Sequence, residues 1–455
     1  MPVPHTLAPT TRAQGGAVVS VLVALFLIGL LVLAGIYLLH WLDTRYAPEE
    51  AIAEHAGRAD DPEFIARGEY LARAGDCIGC HITEGGEPYA GGTPFDTPFG
   101  TLYSPNITPD PETGIGDWSD ADFVRAMHKG VGKEGKRLYP AFPYPSYTKL
   151  SVEDTLAIKA YLFSLEPVRS EVPDNQLRFP FNMRFAVKVW NLLYLDEERF
   201  QPDPQQSESW NRGAFLVEAL GHCGDCHTSR NLLAATTGDK FAGADIEGWR
   251  AFNITPSTHG GIGDWSAEEL VQYLRSGIAP GRATAQGPMV DVIQYSTRFL
   301  TDADLAAMAE YLASIPPVDT SERPRSAWGE PAQDVVALRG APAEDKPLGA
   351  RLYVANCASC HDWTGGGVGD GRAGTYPRLF ENSDVGSRQT ANLVRTIMHG
   401  VHRQTNEVEV FMPGFAGMLD NEEVAALSNY VIEQFGNPTA EPVTAETVAS
   451  LRDEE

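Results

Sequence analysis

The sequence predicts a mainly α chain: three small tandem domains behind a single N-terminal transmembrane helix. Three observations carry that expectation. Cys77-Ile78-Gly79-Cys80-His81, Cys223-Gly224-Asp225-Cys226-His227 and Cys357-Ala358-Ser359-Cys360-His361 repeat one five-residue motif. Asn106-Ile107-Thr108-Pro109 recurs as Asn253-Ile254-Thr255-Pro256, a shift of 147 residues, so the first two units are a tandem duplication. Residues 18–39 are apolar but for Ser20, and about 20 such residues span a bilayer core as a helix.

C-x-x-C-H is the attachment signature of c-type haem. Its two thiols form thioethers, and the adjoining histidine becomes the proximal iron ligand. The chain has 6 cysteines, and all lie in the three motifs. The expected covalent attachment residues are Cys77, Cys80, Cys223, Cys226, Cys357 and Cys360, with His81, His227 and His361 as iron ligands. The expected cofactor is therefore haem c, three per chain. A disulfide framework needs no histidine at a fixed offset. A zinc ribbon needs C-x-x-C pairs about 15–20 residues apart, whereas these lie well over a hundred apart. Each domain is accordingly expected to have the class I cytochrome c fold.

Length and composition agree. A chain of 455 residues suggests about three domains. The 44 glycines and 32 prolines suit loops wrapped around a prosthetic group. A net charge of −26 disfavours nucleic-acid binding. It fits a solvated, self-repelling surface, or docking to a basic partner.

The expected boundaries are a cytoplasmic tail at 1–16, the anchor at 17–41, and cytochrome domains at 59–168, 207–318 and 339–436. Linkers are expected at 169–206 and 319–338, and a C-terminal tail at 437–455. Tyr37 and Trp41 stand where an interfacial aromatic belt belongs. Arg12 precedes the apolar run, and Asp43, Glu49, Glu50 and Glu54 follow it, which places the domains outside the cytoplasm. A cleaved signal peptide is the alternative. The run is longer than an ordinary signal core, and no small-residue cleavage site ends it.

Within each unit, apolar residues at helical spacing precede the cysteines, at 69–74, 214–221 and 349–355. Ser119 is the expected N-cap of a helix with Phe123, Val124 and Met127 on its inner face. Leu270, Val271 and Leu274 match these in the second unit. Closing helices are expected at 155–163, 302–312 and 422–432. Trp118 and Trp265 are read as packing residues. The aromatic stretch at 179–195 suggests a helix packed between domains, or a contact with membrane or a partner subunit.

Electron-transfer haems commonly take methionine as the second axial ligand. Met289 lies 12 residues after Gly277, and Met412 lies 12 after Gly400. Both sit in proline-bordered loops and are the expected sixth ligands. The equivalent position in the first unit is Phe142, which cannot coordinate iron. Met127 aligns with core positions, and His128 and Met183 are the remaining candidates. Haem one is expected to be five-coordinate, water-bound or ligated by a group that moves, with a lower potential than the others. His40, His222, His399 and His402 are read as structural.

With these motifs the chain resembles the triple-haem cytochrome c subunits of membrane-bound bacterial dehydrogenases that oxidise alcohols, aldehydes, gluconate, sorbitol or fructose. The most specific marks are Tyr103-Ser104-Pro105-Asn106-Ile107-Thr108, Leu138-Tyr139-Pro140-Ala141, Pro143-Tyr144-Pro145-Ser146-Tyr147, Gly221-His222-Cys223, Arg230-Asn231-Leu232 and Phe435-Gly436-Asn437-Pro438. The resemblance implies electron flow from a catalytic subunit of PQQ, flavin or molybdenum type to ubiquinone or a terminal oxidase. It implies location at the bacterial inner membrane, with the haem domains in the periplasm. Phe142 departs from the methionine usual in the alcohol- and gluconate-oxidising members. The uncleaved anchor departs from members with a removed signal. No substrate chemistry of the chain's own is expected. The competing readings are a stand-alone membrane cytochrome serving an oxidase and a peroxidase using an open first haem.

Overall fold

The computed structural model describes residues 14–55, 57–322, 324, 345–367, 376–404, 409–437 and 439–453. Helix α1 (Gln14–Thr44) carries the apolar run. Its Val19–Leu38 stretch is long and apolar enough to cross a membrane, and none of it is buried against the other described residues.

Three helical units follow. The first contains α2 (Pro62–Ala74), α3 (Asp120–Lys129) and α4 (Val152–Ser164). Asp61 caps α2 and Ser151 caps α4, each accepting a backbone N–H of the first turn. Ser119 and Asp122 close a reciprocal capping box on α3, and Gly130 ends it with φ +61°. Residues 169–206, expected as a linker, are partly absorbed into this unit. Strand Gln176–Leu177 adds to the hairpin Pro94–Thr97/Gly100–Tyr103, pairing Gly100 with Leu177. Helix α5 (Ala186–Tyr194) then packs its Val187 and Asn191 inward.

The second unit repeats the plan with α6 (Glu208–Phe215), α7 (Ala267–Ser276) and α8 (Asp302–Ser314). Ser266 with Glu269 reproduces the capping box of Ser119 with Asp122. The third unit holds α9 (Leu348–Asn356), α10 (Ala391–His399) and α11 (Asn421–Phe435). The expected C-terminal tail contains α12 (Ala445–Asp453). Arg452 ties it back to the third unit by donating to the carbonyls of Ala416 and Leu419 at 2.8 and 2.7 Å.

One contact recurs in all three units. The helix before the attachment motif crosses the closing helix at a glycine. A Cβ on Gly68, Gly213 or Gly349 would sit closer than 3.0 Å to the carbonyl oxygen of Ala157, Ala307 or Ala426. Only hydrogen fits there, so the two backbones touch. Gly213 stands 10 residues before Cys223, one more than separates Gly68 from Cys77. The chain takes up the extra residue as a π-helical turn, Leu216–Leu220.

Units one and two share one hydrophobic core, whereas unit three has its own. At the seam, Tyr70 donates to Asp304 at 2.5 Å, and Arg212 grips the same carboxylate at 2.9 and 2.8 Å. Burial by itself would raise the Asp304 pKa, but the Arg212 and Tyr70 hydrogen bonds outweigh it and hold it below the usual range. Unit three joins unit two. Asn392 exchanges hydrogen bonds with the Arg250 backbone at 2.8 and 3.1 Å, and the fully buried Arg403 donates to the Ala285 carbonyl at 3.2 Å. Unit two is thus the middle of the assembly.

Gly213→Ala is expected to destabilise the protein by about 1–3 kcal/mol through overpacking. Gly417→Ala, where nothing lies within 4 Å, should leave the denaturant midpoint unchanged. Because the folded-state pKa of Asp304 is depressed, its stabilisation is present above the ordinary carboxylate pKa of about 3.9. It is lost as pH falls through the lower folded value. Comparing acid-unfolding curves of wild type and Asp304→Asn checks this: the variant should be less stable at neutral pH, and the gap should close toward low pH.

Candidate haem-attachment sites

Each motif begins or forms one short helical turn: Cys77–Cys80, Gly224–His227 and Ala358–His361. Cysteines three apart on such a turn project from the same face. All six are free thiols and half-buried. Burial pushes the Cys77, Cys223 and Cys357 thiols up to about 12 and Cys226 to about 11. Cys80 moves in the same direction for the same reason. Burial thus disfavours the thiolate at Cys77, Cys80, Cys223, Cys226 and Cys357. Among the described residues, no group of three or more His, Cys, Asp or Glu side chains could hold a metal ion.

The histidines share a second constraint. Nδ1 of His81 lies 2.7 Å from the Pro105 carbonyl oxygen, Nδ1 of His227 lies 2.6 Å from that of Phe252, and Nδ1 of His361 lies 2.9 Å from that of Pro377. A carbonyl can only accept, so Nδ1 carries the proton and donates. Nε2 is left with a bare lone pair. Burial holds all three rings below the usual imidazole pKa, His81 at about 4, against the opposing pull of the carbonyl bond. Each site therefore offers two thiols and one neutral imidazole nitrogen. That donor set fits a covalently attached haem.

The repeated Asn-Ile-Thr-Pro loops hold the accepting carbonyls still. Asn106 Oδ1 accepts from Thr108 N at 2.9 Å while its amide donates to the Val168 carbonyl at 2.7 Å. Asn253 does the same with Thr255 at 2.8 Å and Val318 at 2.7 Å. Both side chains are buried. Pro105 and Phe252 immediately precede these asparagines. The repeat marks the loops in the sequence, but only the fold reveals that they supply the accepting carbonyls.

The expected sixth ligands lie on separate elements. Met289 is half-buried in the turn Pro288–Asp291 and packs on the shared core. Before it stands Gly287 at φ +51°, where a Cβ would strike the Trp249 ring. Met412 ends strand Glu409–Met412, opposite Val401, and packs on the core of unit three. In unit one, Phe142 packs its ring 5.7 Å from Tyr147. Tyr147 in turn meets His222 of unit two edge-on at 5.6 Å. Met127 lies in the core, only 5% exposed. Buried His128 uses both nitrogens, Nε2 with Thr155 at 3.1 Å and Nδ1 with the Tyr46 hydroxyl at 3.4 Å. Met183 sits in the turn ahead of α5, its N–H donating to the Pro180 carbonyl at 3.1 Å. The expected packing role of Trp265 is met by an edge-on contact with Tyr273 at 5.6 Å.

Three helices around a C-x-x-C-H turn, with the histidine Nδ1 on a loop carbonyl, define a c-type cytochrome. The sequence profile named Cytochrome c matches residues 65–166 and 347–434. The chain is 38% identical to the fructose dehydrogenase cytochrome subunit of Gluconobacter japonicus, over 92% of this chain and 87% of that one. It is 38% identical to the gluconate 2-dehydrogenase cytochrome c subunit of Pantoea cypripedii, over 88% and 92%. It is 41% identical to a nicotinate dehydrogenase component of Pseudomonas putida over 82% of this chain, but spans only 30% of that protein. The chain belongs to the cytochrome c family, with the cytochrome subunits of dehydrogenases, and its cofactor is covalently bound haem c.

Asn253→Ala would leave the Thr255 N–H and the Val318 carbonyl without their partner. The expected cost is about 1–3 kcal/mol, read as an earlier denaturant transition in the haem absorbance. Asn231→Ala, at a more exposed loop, serves as the milder control.

Proposed function

We propose that this chain is a membrane-anchored electron-transfer subunit carrying three haem c groups, which passes electrons from a dehydrogenase catalytic subunit to ubiquinone or a terminal oxidase. One observation carries the reading: the same donor set, two free thiols and a neutral imidazole fixed through Nδ1, recurs three times on one chain. When bound, haem c supplies a one-electron iron couple whose potential follows its axial ligands. The residues of the chain set attachment, orientation and exclusion of water. Cys77 with Cys80, Cys223 with Cys226, and Cys357 with Cys360 are the attachment pairs. His81, His227 and His361 are the proximal ligands, and Met289 and Met412 the distal ones.

The first site differs. Phe142 offers no donor atom, and both nitrogens of His128 are already engaged. A haem held there would be five-coordinate, water-bound or ligated by a group that moves, and its potential would be the lowest of the three. The same engagement of His128 removes the one nearby acid–base group that a peroxidase would use. The names of the relatives point to a dehydrogenase partner, and a catalytic subunit of PQQ, flavin or molybdenum type would serve equally as the electron donor. Helix α1 holds the subunit at the bacterial inner membrane, with the three haem domains, 59–168, 207–318 and 339–436, on the periplasmic side.

Purification from the native membrane tests the assignment. A dehydrogenase subunit should co-purify, and its substrate should reduce the bound haem. Haem that stays oxidised in an active complex would overturn it. For the first site, the reduced protein should bind carbon monoxide at one position per chain. Phe142→Met should abolish that binding and raise the lowest midpoint potential.

A further inference from the structure

Helix α5 is amphipathic in the wrong sense for water. Its buried face carries Lys188 and Asn191, 5% and 6% exposed. Asn191 is held there by the Tyr144 hydroxyl at 2.6 Å and the Lys129 carbonyl at 3.3 Å. Its outward face carries Val189, Leu192 and Leu193, and Phe185 precedes it at the same helical spacing. These side chains are 38%, 51%, 63% and 58% exposed. Phe179, 77% exposed, stands just before them in the chain. From unit two, Leu232 and Leu233 add to the surface, 94% and 46% exposed. The Trp190 indole N–H fastens this loop to α5 by donating to the Leu233 carbonyl at 2.9 Å. A helix that buries lysine and asparagine while presenting leucine and phenylalanine is built for an apolar exterior.

The position of α1 says which exterior. Helix α1 packs against α5. Immediately beyond α1, Tyr46 is locked onto unit one: Arg199 donates to its hydroxyl at 2.8 Å, and the Lys129 ammonium lies 4.8 Å from its ring centroid. Arg45 stacks over Trp41 at 4.2 Å, at the end of the apolar run. No slack remains between the apolar helix and the domain, so unit one is held at the level where α1 leaves the bilayer.

We infer that the outward face of α5, with Phe179 and the Leu232–Leu233 loop, is a second membrane contact that inserts into the headgroup–acyl boundary of the same bilayer. The inference rests on α1 being the membrane anchor. With so acidic a chain, at −26, the contact draws on burial of apolar side chains rather than on attraction to anionic lipid. Its consequence is orientation: units one and two lie against the membrane surface instead of swinging above it on a tether.

Site-directed spin labelling of the full-length, haem-loaded chain in phosphatidylcholine–phosphatidylglycerol liposomes tests this. The six native cysteines are taken up in thioethers, so one introduced cysteine gives one label. Labels go on Leu193→Cys in the patch, Leu27→Cys in α1, and Glu433→Cys on exposed unit three. The Leu193 label should remain accessible to oxygen but lose collisions with a water-soluble nickel chelate, as the Leu27 label does, while the Glu433 label keeps them. A Leu193 label as open to nickel as Glu433, with Leu27 shielded, overturns the patch and leaves the anchor standing. A Leu193 label shielded from both collision partners also overturns it, because the cover is then protein. A nickel-accessible Leu27 label overturns the anchor itself.

Discussion

One hydrogen bond is made three times in this chain, and the candidate sites depend on it: the histidine of each C-x-x-C-H motif gives its Nδ1 proton to a loop carbonyl. The bond fixes the tautomer, the ring plane and the direction of Nε2 in one stroke. It also explains the architecture around it. The carbonyls of Pro105 and Phe252 are immobile because Asn106 and Asn253 are buried and bind the chain beyond the closing helix. That helix is placed in turn by the glycine crossing, Gly68 on Ala157 and Gly213 on Ala307. Motif turn, accepting loop and closing helix therefore form one connected set in each of the first two units.

The three units are not equal beads. Units one and two fused their cores, with Tyr70, Arg212 and Asp304 joined across the seam. Unit three kept its own core and leans on unit two through Asn392 and Arg403. Unit two thus touches both of the others. The aromatic contact from Phe142 through Tyr147 to His222 lies on the seam between the first two units. The one residue that departs from the methionine pattern is thus also part of what holds those units together.

Much of this was legible from the residues. The motifs marked the turns on which each cysteine pair and its histidine stand together, and the 147-residue shift marked the matching Asn-Ile-Thr-Pro loops. Ser119 capped its helix as its position before Asp120 suggested. What the sequence hid depends on distance or on a third dimension. The Tyr70–Asp304 bond spans 234 positions. The π-helical turn at Leu216–Leu220 is visible only once Gly213 and Gly68 are known to play the same part. The stretch at 179–195 reads as apolar and aromatic, but only the fold shows that Lys188 and Asn191 face inward while Leu192 and Leu193 face out. Helix α12 was not anticipated because its apolar side is short, Val448 and Leu451 joining the core of the third unit, and because Arg452 is tied to carbonyls far back in the chain.

The central claim is that all three donor sets are real attachment sites. Intact-mass spectrometry of the mature chain, made in a host that attaches haem c, measures this directly. The account predicts a single species heavier than the polypeptide by three haem groups, losing one when Cys357 and Cys360 are both replaced by alanine. A mature, folded chain bearing two haems or fewer would contradict it.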